Sequence, residues 1–167
     1  RKIIIIDDEP NVLSGLKRTL DRNDYEIISF TDPNQALQYI IRSKGMVDIV
    51  ISDNKMPNVK GNDFLIDLKE RFPNIIRIML TGNSNIKDAK KAINTGKVYK
   101  YLTKPTDSDE LRSIIRMALA HKDLWEQNRK LQRSLIDHEN ELTRLKGTVP
   151  QVESRADDHD PNETLDD

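Results

Sequence analysis

Four consecutive isoleucines, Ile3 to Ile6, run directly into Asp7, Asp8 and Glu9, and Pro10 follows. A β-branched run that is apolar at every position suits a strand covered on both faces, as in a parallel sheet. The carboxylates stand where that strand ends. In open α/β sheets the C-terminal strand ends border the ligand crevice. Two adjacent carboxylates there repel each other. A hard divalent cation such as Mg²⁺, which prefers oxygen ligands, offsets that repulsion best. Pro10 fits the first turn of a helix, where its missing N–H costs nothing.

The strand signal recurs over 26–30, 47–51, 75–80 and 98–102. Helix-period segments separate these runs, over 10–22, 33–42, 62–71, 86–95 and a long one from 107. Strands alternating with helices predict a parallel sheet with right-handed crossovers, an α/β class fold. The segment 26–30 is the most mixed and reads as an edge strand. Thr31 or Asp32 before Pro33, and Asp107 or Ser108 before the last helix, are N-cap residues by type.

With 167 residues, the chain is long enough for one domain and an appendage. Its net charge of −1 implies no nucleic-acid field. The absence of cysteine excludes a disulfide framework and a thiolate metal site, and fits the cytoplasm. No apolar stretch approaches the ~20 residues of a membrane span. The chain begins with Arg1, not Met, which reads as a piece of a longer protein whose output domain lies elsewhere.

At the C-terminal strand ends stand Asp7 and Asp8, then Asp53, then Thr81-Gly82, then Thr103-Lys104-Pro105. A parallel sheet brings these ends to one crevice. Three carboxylates there suit a divalent cation. A hydroxyl suits an oxyanion, and an ammonium suits a phosphoryl charge.

The strings IIIIDDEP, ISDNKMPNVKG from Ile51 to Gly61, MLTG from Met79 and YKYLTKP from Tyr99 resemble the receiver domains of two-component response regulators. The resemblance covers residues 2–120. It implies a five-stranded, flavodoxin-like, doubly wound sheet of order 2-1-3-4-5, with the first and third strands side by side. It implies Asp53 as phosphoacceptor for a sensor histidine kinase or a phosphotransfer protein. It implies Mg²⁺ or Mn²⁺ held by Asp7, Asp8, Asp53 and the Lys55 carbonyl. Thr81 and Lys104 would meet the phosphoryl group, Gly82 would leave room for it, and Tyr101 would be the aromatic switch. Lys104-Pro105 resembles the family's cis peptide. Met56-Pro57 and Gly61 would shape the loop after the acceptor. Lys55 and Asn83 occupy the positions that tune phosphoryl lifetime. The chain would then be a switch with self-dephosphorylation only, not an enzyme in the ordinary sense. The alternative is a degenerate receiver that dimerises without phosphate.

The last helix carries a heptad pattern over 107–146, with a coiled coil expected from about 114. Ile114, His121, Asn128, Leu135 and Leu142 stand at a; Met117, Leu124, Leu131, His138 and Leu145 stand at d. A helix of ~32 residues is about 48 Å long, too long to bury its stripe on one small domain. A parallel homodimer follows, with Asn128 setting register. Residues 147–167 read as an acidic polar tail. No helix-turn-helix, cyclic-dinucleotide enzyme motif or ATPase loop is present, so nothing in the segment binds nucleic acid directly.

Overall fold

A computed structural model describes residues 1–21, 25–57, 59–82 and 98–147. They form β1 (Lys2–Ile6), α1 (Pro10–Leu20), β2 (Glu26–Phe30), α2 (Pro33–Arg42), β3 (Ile49–Asp53), α3 (Gly61–Arg71), β4 (Ile76–Thr81), β5 (Lys100–Thr103) and α4 (Ser108–Gly147). The helix expected over 86–95, Asn83 and the tail from residue 148 lie outside the described residues.

The five strands form one sheet of order β2-β1-β3-β4-β5, and every neighbouring pair is parallel. Strand alternation splits the isoleucine run between two cores. Ile3 and Ile5 pack with Leu13, Leu16 and Leu20 of α1 and with Leu111, Ile115 and Leu119 of α4. Ile4 and Ile6 pack with Ala36 and Ile40 of α2 and with Phe64, Leu65 and Leu68 of α3. All four isoleucines are fully buried. Each is worth roughly 1.5–3 kcal/mol in transfer from water. The more mixed β2 is one of the two edge strands, and its residues are exposed or only partly buried.

The caps follow from side-chain chemistry. Asp32, not Thr31, accepts from the Asn34 amide at 2.9 Å and starts α2. Asp107, not Ser108, accepts from the amides of Asp109 and Glu110 at 2.9 and 2.8 Å. At the end of α2, Gly45 takes φ +70° and its amide donates to Ile40 O at 2.9 Å, the left-handed turn-off that favours glycine.

Three strands sit later than their apolar runs. β3 begins at Ile49 and ends on Asp53, β4 ends on Thr81, and β5 covers Lys100–Thr103. The ladder extends because Asp53 registers with Leu80 and Thr81 with Thr103. Polar residues therefore occupy the last rung of buried strands, which aims them at the crevice.

Residues 1–127 and 128–167 are separate compact units. In the first, α4 buries Leu111, Ile114, Ile115, Ala118 and Leu119, the i, i+3, i+4, i+7 spacing of one helical face. Ile114, expected at the first a position of a coiled coil, is instead a core residue at 4% exposure. Its angular position lies next to the core stripe, so the sheet claims it. The stripe open to solvent begins at Met117, which is 56% exposed. In the second unit, residues 128–146 are helical and exposed, including Asn128, Leu131, Leu135, His138, Leu142 and Leu145.

Candidate functional site

The crevice lies over the C-terminal ends of β1, β3, β4 and β5. Asp7 follows β1 directly and is fully buried. Its amide donates to Phe30 O at 3.2 Å, which holds it on the sheet. Its Oδ1 accepts from the Glu9 amide at 3.0 Å, which turns the chain into α1. Its Oδ2 faces the Lys104 ammonium at 2.6 Å. Asp53 closes β3 at 5% exposure. Its Oδ2 accepts from the Lys55 amide at 3.2 Å, and Lys104 Nζ stands 3.2 Å from its Oδ1. Carboxylate oxygens of Asp7, Asp8 and Asp53 lie within 4.8 Å of one another.

One ammonium among three carboxylates leaves the crevice negative. Burial pushes the Asp53 carboxyl above its ordinary range; the Lys104 charge and hydrogen bond oppose this, and the Asp7 charge adds to it. Burial would lower Lys104, but its hydrogen bond and charge contact with Asp7, together with Asp53, outweigh that and raise it. A hard divalent cation is the natural complement to such an all-oxygen set.

The expected partners are close by. Thr81 is buried, and its hydroxyl donates to Gly82 O at 3.2 Å. The Lys104 amide donates to Thr81 O at 2.9 Å, so the backbone ties the hydroxyl and the ammonium together. Lys104-Pro105 is cis, as the family resemblance implies. At Gly82 a Cβ would meet nothing within 4 Å, so the space beside it is open. Tyr101 is half-buried against the core beneath α2 and α3. Lys55 is exposed and Met56 is buried in that same core.

Gly61 has a sharper reason. A Cβ there would stand 1.8 Å from Asp53 O. The first turn of α3 is laid against the acceptor backbone, and the Gly61 amide donates to Asn54 O at 3.1 Å. Only glycine permits that approach.

Sequence reasoning missed a second charged cluster at the opposite end of the sheet. Lys122 of α4 is buried, with Nζ 2.9 Å from Asp48 Oδ1 and 3.2 Å from Val47 O. Asp48 also accepts from the Lys2 amide at 2.9 Å and pairs with Arg1 at 3.2 Å. The available signal was spacing: Lys122 stands three and four residues after Leu119 and Ala118, on the core face.

The sequence matches the response regulator receiver domain family over residues 3–116. It is 30% identical over 146 residues to the C4-dicarboxylate transport transcriptional regulatory protein DctD of Pseudomonas aeruginosa, covering 87% of this chain and 31% of that one. It is 32% identical over 117 residues to the transcriptional regulatory protein GlrR of Escherichia coli, covering 70% of this chain and 26% of that one. The chain thus spans under a third of either regulator. A response regulator receiver domain from Clostridium thermocellum superposes with TM-score 0.70 at 31% identity, over 74% of this chain and 98% of that one. No helix among the described residues is long and apolar enough to cross a membrane.

Proposed function

This chain belongs to the response regulator receiver domain family, and we propose that it is a phosphorylation-controlled switch whose acceptor is Asp53. The observation that carries this is the placement of the Asp53 carboxylate, 3.2 Å from Lys104 and within 4.8 Å of the Asp7 and Asp8 oxygens. The donor is a phosphohistidine on a sensor histidine kinase or a phosphotransfer protein. An Asp53 oxygen attacks phosphorus, the P–N bond breaks, and its electron pair returns to the imidazole. Asp7, Asp8, Asp53 and the Lys55 carbonyl would hold Mg²⁺ or Mn²⁺, which when bound shields the carboxylate and phosphoryl charges.

The chain's own groups then respond. Lys104 shifts from Asp7 toward a phosphoryl oxygen. The Thr81 hydroxyl exchanges Gly82 O for the same group, which fits beside Gly82. Tyr101 moves inward behind Thr81. Neither Lys55 nor Asn83 is a carboxylate able to activate water, so self-dephosphorylation is intermediate to slow. A Lys55→Glu variant should shorten phosphoryl lifetime about tenfold or more by adding a general base.

The switch acts through a parallel homodimer along α4 and so controls a downstream output. Met117, His121, Leu124, Asn128, Leu131, Leu135, His138, Leu142 and Leu145 form the seam. The degenerate-receiver alternative is disfavoured because the crevice keeps all three acids, the hydroxyl and the ammonium.

Intact-mass measurement after incubation with acetyl phosphate and Mg²⁺ tests the acceptor. Wild type should gain one acid-labile phosphoryl group and Asp53→Asn none. Equal labelling of the two would overturn the assignment.

A further inference from the structure

Within the first unit, α4 presents two different sides. One is the core stripe that ends at Lys122, and Trp125, seven residues after the buried Ala118, continues its line at 51% exposure; the other, about a quarter-turn round the helix, exposes Met117 at 56% and Leu124 at 62%. Trp125 is the only tryptophan of the chain, and it is braced. The His121 ring lies 4.3 Å from the Trp125 ring, centroid to centroid, at 48°. Tyr99 lies 5.7 Å from His121 on the other side, and its amide donates to Arg77 O at 2.8 Å beside β4. Tyr99, His121 and Trp125 thus form a ladder that runs from the edge of the sheet along α4 to a half-exposed indole. A large aromatic propped on one face and bare on the other loses little conformational entropy when it is covered.

The sequence around it is sorted by charge. From Arg116 to Asp137, every Asp, Glu, Lys and Arg falls at heptad position b, c or f. Over that span positions a, d, e and g carry none; beyond it Glu139 and Lys146 stand at e and Glu141 at g. Such a neutral face repels no second copy of itself. It offers nothing to a phosphate backbone or to charged lipid headgroups, which need clustered cations.

We propose that Trp125 is the anchor of the contact between two copies of this chain, its free ring face lying over Ala120 of the second copy in parallel register. The proposal rests on the dimer reading above and adds its register and its link to the sheet. Trp125 stands at e and Ala120 at the preceding g, the two positions that flank the seam and face each other across a parallel pair. Ala120 is exposed, and its methyl leaves room for an indole. By this contact the second copy rests on a side chain buttressed by Tyr99, next to β5, the strand that carries Tyr101 and leads into Lys104. In an antiparallel pair Ala120 would not meet Trp125.

The test uses the full chain, with sedimentation for assembly and the single tryptophan as reporter. Wild type should dimerise, with emission moving to shorter wavelength as it does so. Ala120→Glu places a charge on an exposed helical site and keeps the fold by circular dichroism. It should raise the dissociation constant about tenfold or more. Trp125→Ala should weaken assembly similarly without adding charge. Arg133→Glu, at f, should change it less than about twofold. If Leu131→Glu abolishes the dimer while Ala120→Glu and Trp125→Ala leave it intact, the anchor is wrong and the dimer reading survives. If wild type is monomeric at tens of micromolar, both fall.

Discussion

The Lys104 ammonium stands 2.6 Å from Asp7 Oδ2, nearer than the 3.2 Å that separates it from Asp53 Oδ1. Asp7 is the more deeply buried of the two carboxylates, and a buried charge needs a matched partner more than an accessible one does. Lys104 therefore supports the crevice in the phosphate-free state, and its move to a phosphoryl group would release Asp7.

Replacing Lys104 by Met should expose that dependence. The variant leaves Asp7 and Asp53 facing each other without the cation, at a cost of about 2 kcal/mol. Saturating Mg²⁺ should narrow the gap, because without the Lys104 charge the carboxylates attract the cation more strongly, and tighter native-state binding stabilises the variant more than wild type. Urea unfolding with and without Mg²⁺ measures both effects. A gap that stays constant would separate Lys104 from the metal-binding acids.

Asp53→Asn should make the metal-free chain more stable at pH 7. Burial, reinforced by the Asp7 charge and only partly countered by Lys104, holds the folded carboxyl above its unfolded value. The native state therefore binds that proton more tightly than the unfolded chain. Stability is then lost as pH rises from the unfolded value near ~3.9 through the folded one. The Asn variant escapes this loss, and its advantage should vanish below about pH 4. Thermal unfolding at the two pH values checks the sign.

Gly61→Ala should be costly where Gly82→Ala is not. At Gly61 the new Cβ would lie 1.8 Å from Asp53 O, whereas at Gly82 it meets nothing within 4 Å. Overpacking against backbone costs roughly 1–3 kcal/mol. The Gly61 variant should also label more slowly with acetyl phosphate, because relief of the clash displaces the acceptor strand. Equal stability of the two variants would refute the close approach.

Lys122→Met tests the cluster at the far end of the sheet. Burial would raise the Asp48 carboxyl, but Lys122, the Lys2 amide and Arg1 together hold it below its ordinary range. That contribution is present above the unfolded value and is lost as pH falls through the folded one. The variant should lose about 1–3 kcal/mol at neutral pH. The difference from wild type should shrink once Asp48 is protonated. A double-mutant cycle with Asp48→Asn isolates the pair.

The isoleucine run, the acids and hydroxyl at the strand ends, and the heptad stripe were legible in the amino-acid order. Each depends on periodicity or on residue type at a local position, and these are properties of short segments. The parallel sheet followed from the alternation of such segments, and its strand order from the resemblance those motifs carry. The three-dimensional structure alone decided that Lys104 leans on Asp7, that Gly61 is pressed against the Asp53 backbone, and that Lys122 reaches Asp48. It alone turned Ile114 into the core and left Trp125 braced on His121. These outcomes join residues far apart in the chain or depend on the rotation of α4 against the sheet. A helix has a period but no phase until it is packed, and a charge has no partner until the strand ends converge.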